Sequence, residues 1–284
     1  MAEPDPPLAL DRPPFVVDGQ LSPAQTAQAF EACFRTVSAW PDRVSDCHAL
    51  LAAMLPEDAS ASALREAGAK IAADMDRGLG SDDTLPYHNR QHFCEVMLSA
   101  HFVGLLSGLG QGERAELLFA ALIHDFGHDG GTNEGCPFRL ERRALDLAAP
   151  YLAAVQIDER IARRLAAAVL ATEISVGLPR ARAWYRRHFL DGGQPAGAEP
   201  VPEFEVFSRE PAAARIAVAL AEADAIGSVG LSRAHADLQQ ERLAREWGRP
   251  LGPSDKRHYL DRMFGEFLLA RYFAPNLEAI RNET

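Results

Sequence analysis

Histidine side chains cluster in two short stretches of this sequence. Four of the nine histidines fall within residues 88–92 and 124–128, and the second stretch also contains an aspartate. An apolar run just before the second stretch predicts that His124 and Asp125 lie in the interior of a helix and that His128 shares a helical face with His124. Buried imidazole and carboxylate groups are costly when they are unpaired. Either a metal ion or a hydrogen-bonded protein group must therefore satisfy them.

A third candidate group lies far along the chain. The pattern over residues 211–226 is apolar around its whole circumference apart from Arg215, Glu222 and Asp224, which predicts a buried core helix. Asp224 then lies in the interior near the end of that helix, whereas Glu222 is expected to point outward. Imidazoles and carboxylates from separate helices can form a metal site that leaves coordination positions for water. Such a site supports hydrolysis, most simply of a phosphate ester.

Composition predicts the fold class and narrows the choice of partner. Alanine and leucine recur at helical spacing over most of the 284 residues, which favours an all-α fold, a compact multi-helix domain. The net charge of -11 argues against nucleic acid or an acidic membrane as the main partner. Four widely spaced cysteines, no signal peptide and no apolar stretch of membrane-spanning length predict a soluble cytoplasmic protein with reduced thiols.

The chain is predicted to consist of an arm followed by one helical domain. Residues 1–20 are acidic and proline-rich and predict an extended arm, and residues 21–284 predict a single all-helical catalytic domain. Residues 191–202 predict a flexible loop that could act as a lid, and the basic segment Arg180–His188 predicts a solvated helix face. Helices are predicted over residues 23–38, 44–55, 59–78, from within 85–93 to 106, and over 113–124, 137–151, 157–176, 211–226, 232–247, 255–273 and 275–281.

Four motifs together resemble a known family. They are Tyr87-His88-Asn89-x-x-His92, Ile123-His124-Asp125-x-x-His128-x-Gly130, Leu170-Ala171-Thr172-Glu173 and Ala223-Asp224. Their order resembles that of the HD-domain metal-dependent phosphohydrolases, an all-helical superfamily. More narrowly, the four motifs together resemble the catalytic domain of the class I 3′,5′-cyclic nucleotide phosphodiesterases, and the first motif is much more specific than the His-Asp pair alone. The similarity covers approximately residues 60–280. The resemblance implies hydrolysis of a cyclic nucleotide to its 5′-monophosphate through a metal-bridging hydroxide.

The resemblance also implies which residues bind metal. The tighter ion of the family, typically Zn²⁺, would be held by His92, His124, Asp125 and Asp224. Asp125 would bridge to a second and more hydrated ion, typically Mg²⁺ or Mn²⁺. Two divalent metal ions are therefore the expected cofactors.

Three further residues receive catalytic roles from the resemblance. His88 would be the general acid that protonates the departing ribose 3′ oxygen, and His128 would hydrogen-bond the water shell of the second metal. Glu141 would be a partner for the acid or for those waters. Glu134 competes with Glu141 for this role, because the segment after His128 is shorter here than in the family.

Departures from the family pattern concern the substrate base. The family usually has an asparagine three positions after the last metal aspartate, where this chain has Gly227, and Glu173 replaces the usual aspartate of the third motif. The family also has a purine-binding glutamine in a late helix, and residues 262–267 contain none. Phe264 or Phe267 could stack on a base, although a core role is favoured for both. The metal chemistry is thus expected to be intact, while the identity of the base stays open.

The leading hypothesis is a metal-dependent phosphodiesterase acting on a 3′,5′-cyclic nucleotide. An HD-domain phosphohydrolase acting on another nucleotide or phosphomonoester is the alternative, and the missing glutamine favours it somewhat. A di-iron oxygenase needs more histidines on the second metal than the sequence supplies. A non-catalytic helical sensor would use the same groups only structurally. A small nucleotide or phosphoester is the expected partner, and the oligomeric state is left open, with a homodimer as one option.

Overall fold

A computed structural model describes residues 21–283 except 56, 191, 264 and 266, with residues 59 and 262 described by their backbone. Among these residues there are helices and no β-strand, which confirms the predicted all-α fold class. The predicted arm, residues 1–20, lies outside the described residues. None of the helices in the described part of the chain combines the length and the apolar composition that crossing a bilayer requires.

The regular structure of these residues comprises thirteen α-helices, a 3-10 turn and a π-helical turn. The first six α-helices are α1 (Pro23–Ser38), α2 (Arg43–Ala52), α3 (Ala59–Asp76), α4 (Arg90–Leu106), α5 (Gln111–Ile123) and α6 (Arg139–Ala154). The other seven are α7 (Glu159–Leu170), α8 (Gly177–Phe189), α9 (Glu205–Arg209), α10 (Pro211–Ala225), α11 (Arg233–Glu246), α12 (Pro253–Met263) and α13 (Ala274–Glu283). The 3-10 turn spans Pro202–Phe204, and the π turn, which continues α10, spans Ile226–Gly230.

The first helix begins where the sequence predicts, because Ser22 and Gln25 form a capping box. The Gln25 amide donates to the Ser22 hydroxyl at 3.3 Å, and the Ser22 amide donates to the Gln25 side chain at 2.8 Å. Pro23 occupies the first helical position. These bonds satisfy N–H groups that the start of a helix leaves without partners. The helix predicted over residues 23–38 is confirmed.

The helix predicted over residues 157–176 is wrong over residues 171–176, because α7 ends at Leu170. Glu173 accepts hydrogen bonds from the amides of Val176 and Gly177 and so stabilises a turn that leads into α8. A Cβ atom at Gly177 would lie 2.3 Å from the carbonyl oxygen of Leu170, so this turn requires glycine. Glu173 therefore caps a turn between helices.

The helix predicted over residues 255–273 also ends early, at Met263. The chain beyond it is held by Glu222, which accepts hydrogen bonds from the backbone amides of residues 268–270. Glu222 is only 2% exposed, so the expectation that it points outward is wrong. Burial raises its pKa to about 7, although the three amides oppose that rise.

The helices α4, α5 and α10 form the centre of the fold and pack against one another. Each is buried around most of its circumference, as expected for helices enclosed by others. Phe30 of α1, for example, is fully buried and packs against Phe102 of α4 and against Phe273. The central position of these three helices fixes the places where they end.

The loop that follows α8 packs against that helix. Arg180 donates a hydrogen bond to Glu199 at 2.7 Å, and the indole N–H of Trp184 donates to the same carboxylate at 3.0 Å. Trp184 and Tyr185 are buried, so the expectation of a solvated helix face is wrong for the aromatic residues of this segment, whereas Arg186 and Arg187 are exposed as expected. The aromatic residues of the segment belong to the core, and Glu199 fastens the loop to them.

We expect Glu222→Ala to destabilise the fold. The substitution leaves three backbone amides, that of Ala270 buried and the other two partly buried, without an acceptor. This should lower the free energy of unfolding by about 3 kcal/mol. Urea unfolding of the variant measures the loss. Glu159→Ala is the matched control, since Glu159 lies on α7 with a side chain that is 84% exposed. Equal stability of the two variants would contradict the role given to Glu222.

Candidate metal centre

Three core helices bring the four predicted metal ligands together. His92 lies in the first turn of α4, His124 and Asp125 directly follow α5, and Asp224 lies in the last turn of α10. One ligand atom from each of His92, His124 and Asp224 lies within 4.8 Å of the other two. Both imidazoles also lie near Asp125 Oδ2, with Nε2 at 3.3 Å for His92 and 3.1 Å for His124.

Asn89 fixes the geometry of the first motif by capping α4. Its side-chain oxygen accepts hydrogen bonds from the amides of Gln91 and His92 at 3.0 and 3.4 Å. Its side-chain nitrogen donates to the carbonyl of Leu85 at 3.0 Å. His88 therefore precedes the helix and His92 lies within it, and a turn rather than one helical face brings the two imidazoles close to each other.

The His124-Asp125 pair lies at a helix end. Because α5 ends at Ile123, the expectation of a pair inside a helix that shares a face with His128 is wrong. The chain turns sharply at Gly127, where φ is +81°, and a Cβ there would lie 2.2 Å from a side-chain carbon of Leu147. Glycine is therefore required for the turn that places both groups at the same point as His92.

The spacing of the four ligands fits a bound ion. The Nε2 atoms of His92 and His124 are 3.3 Å apart, and Asp224 Oδ1 lies 3.4 and 3.7 Å from them. Ligands about 2.1 Å from a metal in tetrahedral or octahedral geometry lie about 3.0–3.4 Å from one another. His124 Nδ1 is 2.9 Å from the carbonyl of Ala121, and donation there leaves the Nε2 lone pair for a metal.

The electrostatics of the cluster favour a cation between its members. Burial alone would raise the pKa of Asp125, but the charge of His124 and hydrogen bonds from His124 and His92 hold that pKa well below its usual range. Burial alone would lower the pKa of His124, but Asp125 and Asp224 raise it well above the ordinary value. The carboxylates thus stay ionised and attract positive charge, which a divalent ion could supply.

A second cluster next to the metal ligands is formed around His88. Its Nδ1 atom is 2.5 Å from Glu246 Oε1, and its Nε2 atom is 3.8 Å from Asp125 Oδ2. Burial would lower the pKa of His88, but the hydrogen bond to Glu246 and the charges of Asp125 and Glu246 outweigh it, and the pKa is raised. The geometry therefore favours a protonated imidazole whose Nε2–H points toward the metal ligands.

Glu246 is the residue of the site that sequence reasoning missed. It ends α11, and its side chain is completely buried, although α11 is otherwise rich in charge and reads as a surface helix. Its second oxygen accepts the backbone amides of Tyr87 and His88 at 2.8 and 3.0 Å. These bonds, with the charge of His88, lower its pKa to about 2 against the effect of burial. No local motif marks this position in the sequence.

His128 lies beside His88 rather than among the closest metal ligands. The two rings are stacked, with centroids 3.6 Å apart and an angle of 18° between planes. The amide of Gly130 donates to His128 Nδ1 at 3.0 Å, which requires that nitrogen to be unprotonated. Burial lowers the pKa of His128 to about 4. His88, His128 and Glu246 also lie close enough to form a metal site. The His88–Glu246 hydrogen bond, however, favours a proton on His88 over a metal ion at this position.

Glu141 is the better placed of the two glutamates considered for the last role. It is 7% exposed, and both of its oxygens accept from the Asn133 side-chain amide at 3.0 and 2.9 Å. Burial raises its pKa to about 7. Glu134 is exposed. Asn133, which no sequence motif singled out, orients Glu141 and also accepts a hydrogen bond from the amide of Leu140 at 3.0 Å.

A pocket of about 500 Å³ opens beside the ligands. His88 and Asp224 line it together with residues of the π turn, α11 and α12. Tyr87 lines it as well, and its hydroxyl is 2.6 Å from that of Ser228 in the π turn. The Phe267 side chain is buried and does not line this pocket, and Phe264 lies outside the described residues.

We expect Asp224→Ala to lose bound metal. Removing one of the four converging groups takes away a ligand and half of the carboxylate charge that attracts the ion. Elemental analysis of the purified protein measures the metal content. Asp146→Ala is the matched control, because Asp146 is an exposed aspartate on α6. A full metal complement in Asp224→Ala would contradict the ligand assignment.

The chain is similar in sequence to one curated protein over a short segment. A probable 3′,5′-cyclic phosphodiesterase of Caenorhabditis elegans is 48% identical over 52 residues, which is 17% of this chain and 8% of that protein. The matched part of the chain thus spans a small fraction of the length of the relative. No family model matches the sequence.

Solved structures of phosphodiesterases resemble the whole fold. The phosphodiesterase domain of the Salpingoeca rosetta rhodopsin phosphodiesterase has a TM-score of 0.55 at 17% identity, covering 75% of this chain and 79% of that one. LmjPDEB1 in complex with IBMX has a TM-score of 0.61 at 14% identity, with 88% and 89% covered. Yeast caPDE2 in complex with IBMX has a TM-score of 0.58 at 13% identity, with 91% and 72% covered. The fold that the motifs predicted is confirmed: the chain has the all-helical fold of cyclic nucleotide phosphodiesterase catalytic domains.

Proposed function

We propose that this chain is a metal-dependent phosphodiesterase that hydrolyses a 3′,5′-cyclic nucleotide to the 5′-monophosphate. The observation that carries the proposal is that a set of metal-binding groups and a proton donor lie next to each other. Four nitrogen and oxygen ligands converge from α4, α5 and α10, and a histidine with a raised pKa lies 3.8 Å from one of them. Hydrolysis of a phosphodiester needs both, a cation for the phosphoryl charge and an acid for the leaving oxygen.

The proposed metal-binding groups would serve two ions, and one of the groups would contact both. His92, His124, Asp125 and Asp224 would hold one ion, Zn²⁺ by resemblance to the family, and Asp125 would also face a second, Mg²⁺ or Mn²⁺. When bound, divalent ions neutralise phosphoryl charge and lower the pKa of water. The protein contributes the fixed spacing of the ligands and the orientation of His124, whose hydrogen bond to the Ala121 carbonyl directs Nε2 toward Asp125 and Asp224.

His88 supplies the proton that the leaving group needs. In the proposed reaction an oxygen from water forms the new bond to phosphorus while that water gives up one proton to solvent, and the bond between phosphorus and the 3′ oxygen breaks. The 3′ oxygen leaves with the electron pair of that bond and takes the proton from His88 Nε2. Glu246, which lies on the opposite side of the ring at Nδ1, keeps the imidazole protonated before this transfer and fixes its orientation.

Two further residues would act on water in the site. Glu141, with a pKa raised to about 7, can accept or return a proton near neutral pH. His128 stacks on His88 and its Nε2–H is available to donate, because Gly130 donates to its Nδ1 atom. We assign both residues to hydrogen bonds with the waters around the second ion.

A substrate panel tests the proposal. We expect the purified protein, supplied with Zn²⁺ and Mg²⁺ or Mn²⁺, to convert cyclic AMP or cyclic GMP to the 5′-monophosphate. His88→Ala should lower turnover by about a hundredfold or more while its metal content stays unchanged. Hydrolysis of ordinary nucleotide monophosphates or phosphomonoesters, with both cyclic nucleotides intact, would replace this function by the alternative phosphohydrolase. Loss of metal in His88→Ala would make His88 a ligand instead of an acid.

We expect Glu246→Gln to change the pH dependence of turnover. Protonated His88 is the reactive form, so activity is present below its pKa and is lost as pH rises through it. Glu246 raises that pKa, and neutralising Glu246 should lower it. The alkaline limb of the kcat profile should therefore move to lower pH. Glu241→Gln is the control on the same helix, since Glu241 is exposed, and an unmoved limb in Glu246→Gln would contradict the coupling.

A further inference from the structure

The pocket beside the ligands continues well beyond the groups that the proposed chemistry uses. Its volume of about 500 Å³ lies within the range typical of small-molecule sites. The surface that lines it is mainly apolar and includes Ile174, Leu243, Trp247 and Tyr259. A phosphate placed at the metal ligands leaves the rest of a nucleotide to occupy this space. The pocket therefore has to accommodate a sugar and a flat heterocyclic base.

Trp247 is the largest aromatic side chain in the lining of this pocket. It follows Glu246 directly in the sequence, and Glu246 is anchored by hydrogen bonds to the amides of Tyr87 and His88. The position of the indole is thereby tied to the position of the proposed acid. The guanidinium of Arg249 lies 5.6 Å from the centroid of the Trp247 ring, which limits the movement of the ring further.

The other tryptophans and the late phenylalanine are engaged elsewhere. Trp184 is buried and donates to Glu199, Trp40 packs against the hydrophobic core, and Phe267 is buried outside the pocket lining. Among the described residues, Trp247 is the tryptophan that lines the pocket. Two tyrosines also line the pocket, Tyr87, whose hydroxyl pairs with that of Ser228, and Tyr259 of α12, but the indole at the end of α11 offers the largest flat surface.

We infer that Trp247 is the stacking surface for the base of the substrate. This inference rests on the proposed function, which places the phosphate at the metal ligands. It identifies the ligand class as a nucleotide whose planar base lies against the indole ring, and it makes Trp247 a residue for substrate binding and not for the chemical step. Stacking alone accepts any base, since every base has a π face.

Two substitutions at this position separate stacking from other roles. Trp247→Leu keeps an apolar side chain but removes the ring, and KM should rise about tenfold with kcat nearly unchanged. Trp247→Phe keeps a ring and should retain most of the affinity. Thermal unfolding of both variants checks that they are folded. A fall in kcat at constant KM for Trp247→Leu would overturn the inference, because the residue would then act through Glu246.

A binding measurement tests the contact without turnover. Quenching of tryptophan fluorescence, corrected for absorption by the ligand, is measured with 5′-AMP and with ribose 5-phosphate in the presence of the divalent metal. We expect 5′-AMP to quench the wild-type protein and ribose 5-phosphate to leave it unchanged, with the quenching lost in Trp247→Phe. Equal effects of both ligands would overturn the inference. Base-dependent quenching without any hydrolysis of cyclic nucleotides would support stacking and reject the proposed function.

Discussion

Two imidazoles and two carboxylates pack against one another at the ends of three core helices, and the charge of these groups constrains everything around them. Their ligand atoms lie 3.1–3.7 Å apart, in surroundings where an uncompensated charge is expensive. A positive charge must balance Asp125 and Asp224. Protonated imidazoles or a metal ion can supply it, and the two compete, because an imidazole binds metal only through an unprotonated nitrogen. The helix ends thus hold the four groups at a spacing that fits a bound ion.

His124 and His88 both lie near Asp125, but a different group contacts the Nδ1 atom of each ring. In His124 that group is the backbone carbonyl of Ala121, which accepts the Nδ1–H and leaves Nε2 facing the carboxylates, where a metal ion can displace its proton. In His88 it is the Glu246 carboxylate, which stabilises the charged ring and keeps a proton on Nε2. One neighbour thus favours a metal ligand and the other favours an acid. The division of labour that the proposed reaction needs follows from these two hydrogen bonds.

Much of this site could be predicted from sequence, because its ligands lie in short motifs. The clustering of His88, His92, His124 and Asp125, and the apolar helix that carries Asp224, were sufficient to predict the convergence. The spacing of residues along the sequence did not identify side chains whose hydrogen-bond partners are distant in the chain. Glu246 lies 158 residues from His88, and its burial depends on how α11 packs. The same holds for Glu222. Its carboxylate accepts hydrogen bonds from the amides of residues 268–270, which belong to a segment predicted as helix. The helical periodicity of the sequence continues beyond the ends of both α7 and α12. A local turn held by Glu173 ends α7, whereas the distant carboxylate of Glu222 holds the chain that follows α12.

The proposed chemistry and the recognition of a base are carried by different parts of the fold. The metal ligands lie on α4, α5 and α10, which are enclosed by other helices, whereas the pocket is lined largely by the π turn, α11 and α12 nearer the C-terminus. Substitutions in the pocket lining can therefore change the preferred base without disturbing the proposed metal ligands. The exception is the end of α11, where Glu246 and Trp247 are consecutive. A backbone shift that moves the indole of Trp247 also moves the Glu246 carboxylate that holds His88. A substitution here that changes base binding is therefore expected to change the position of the acid as well.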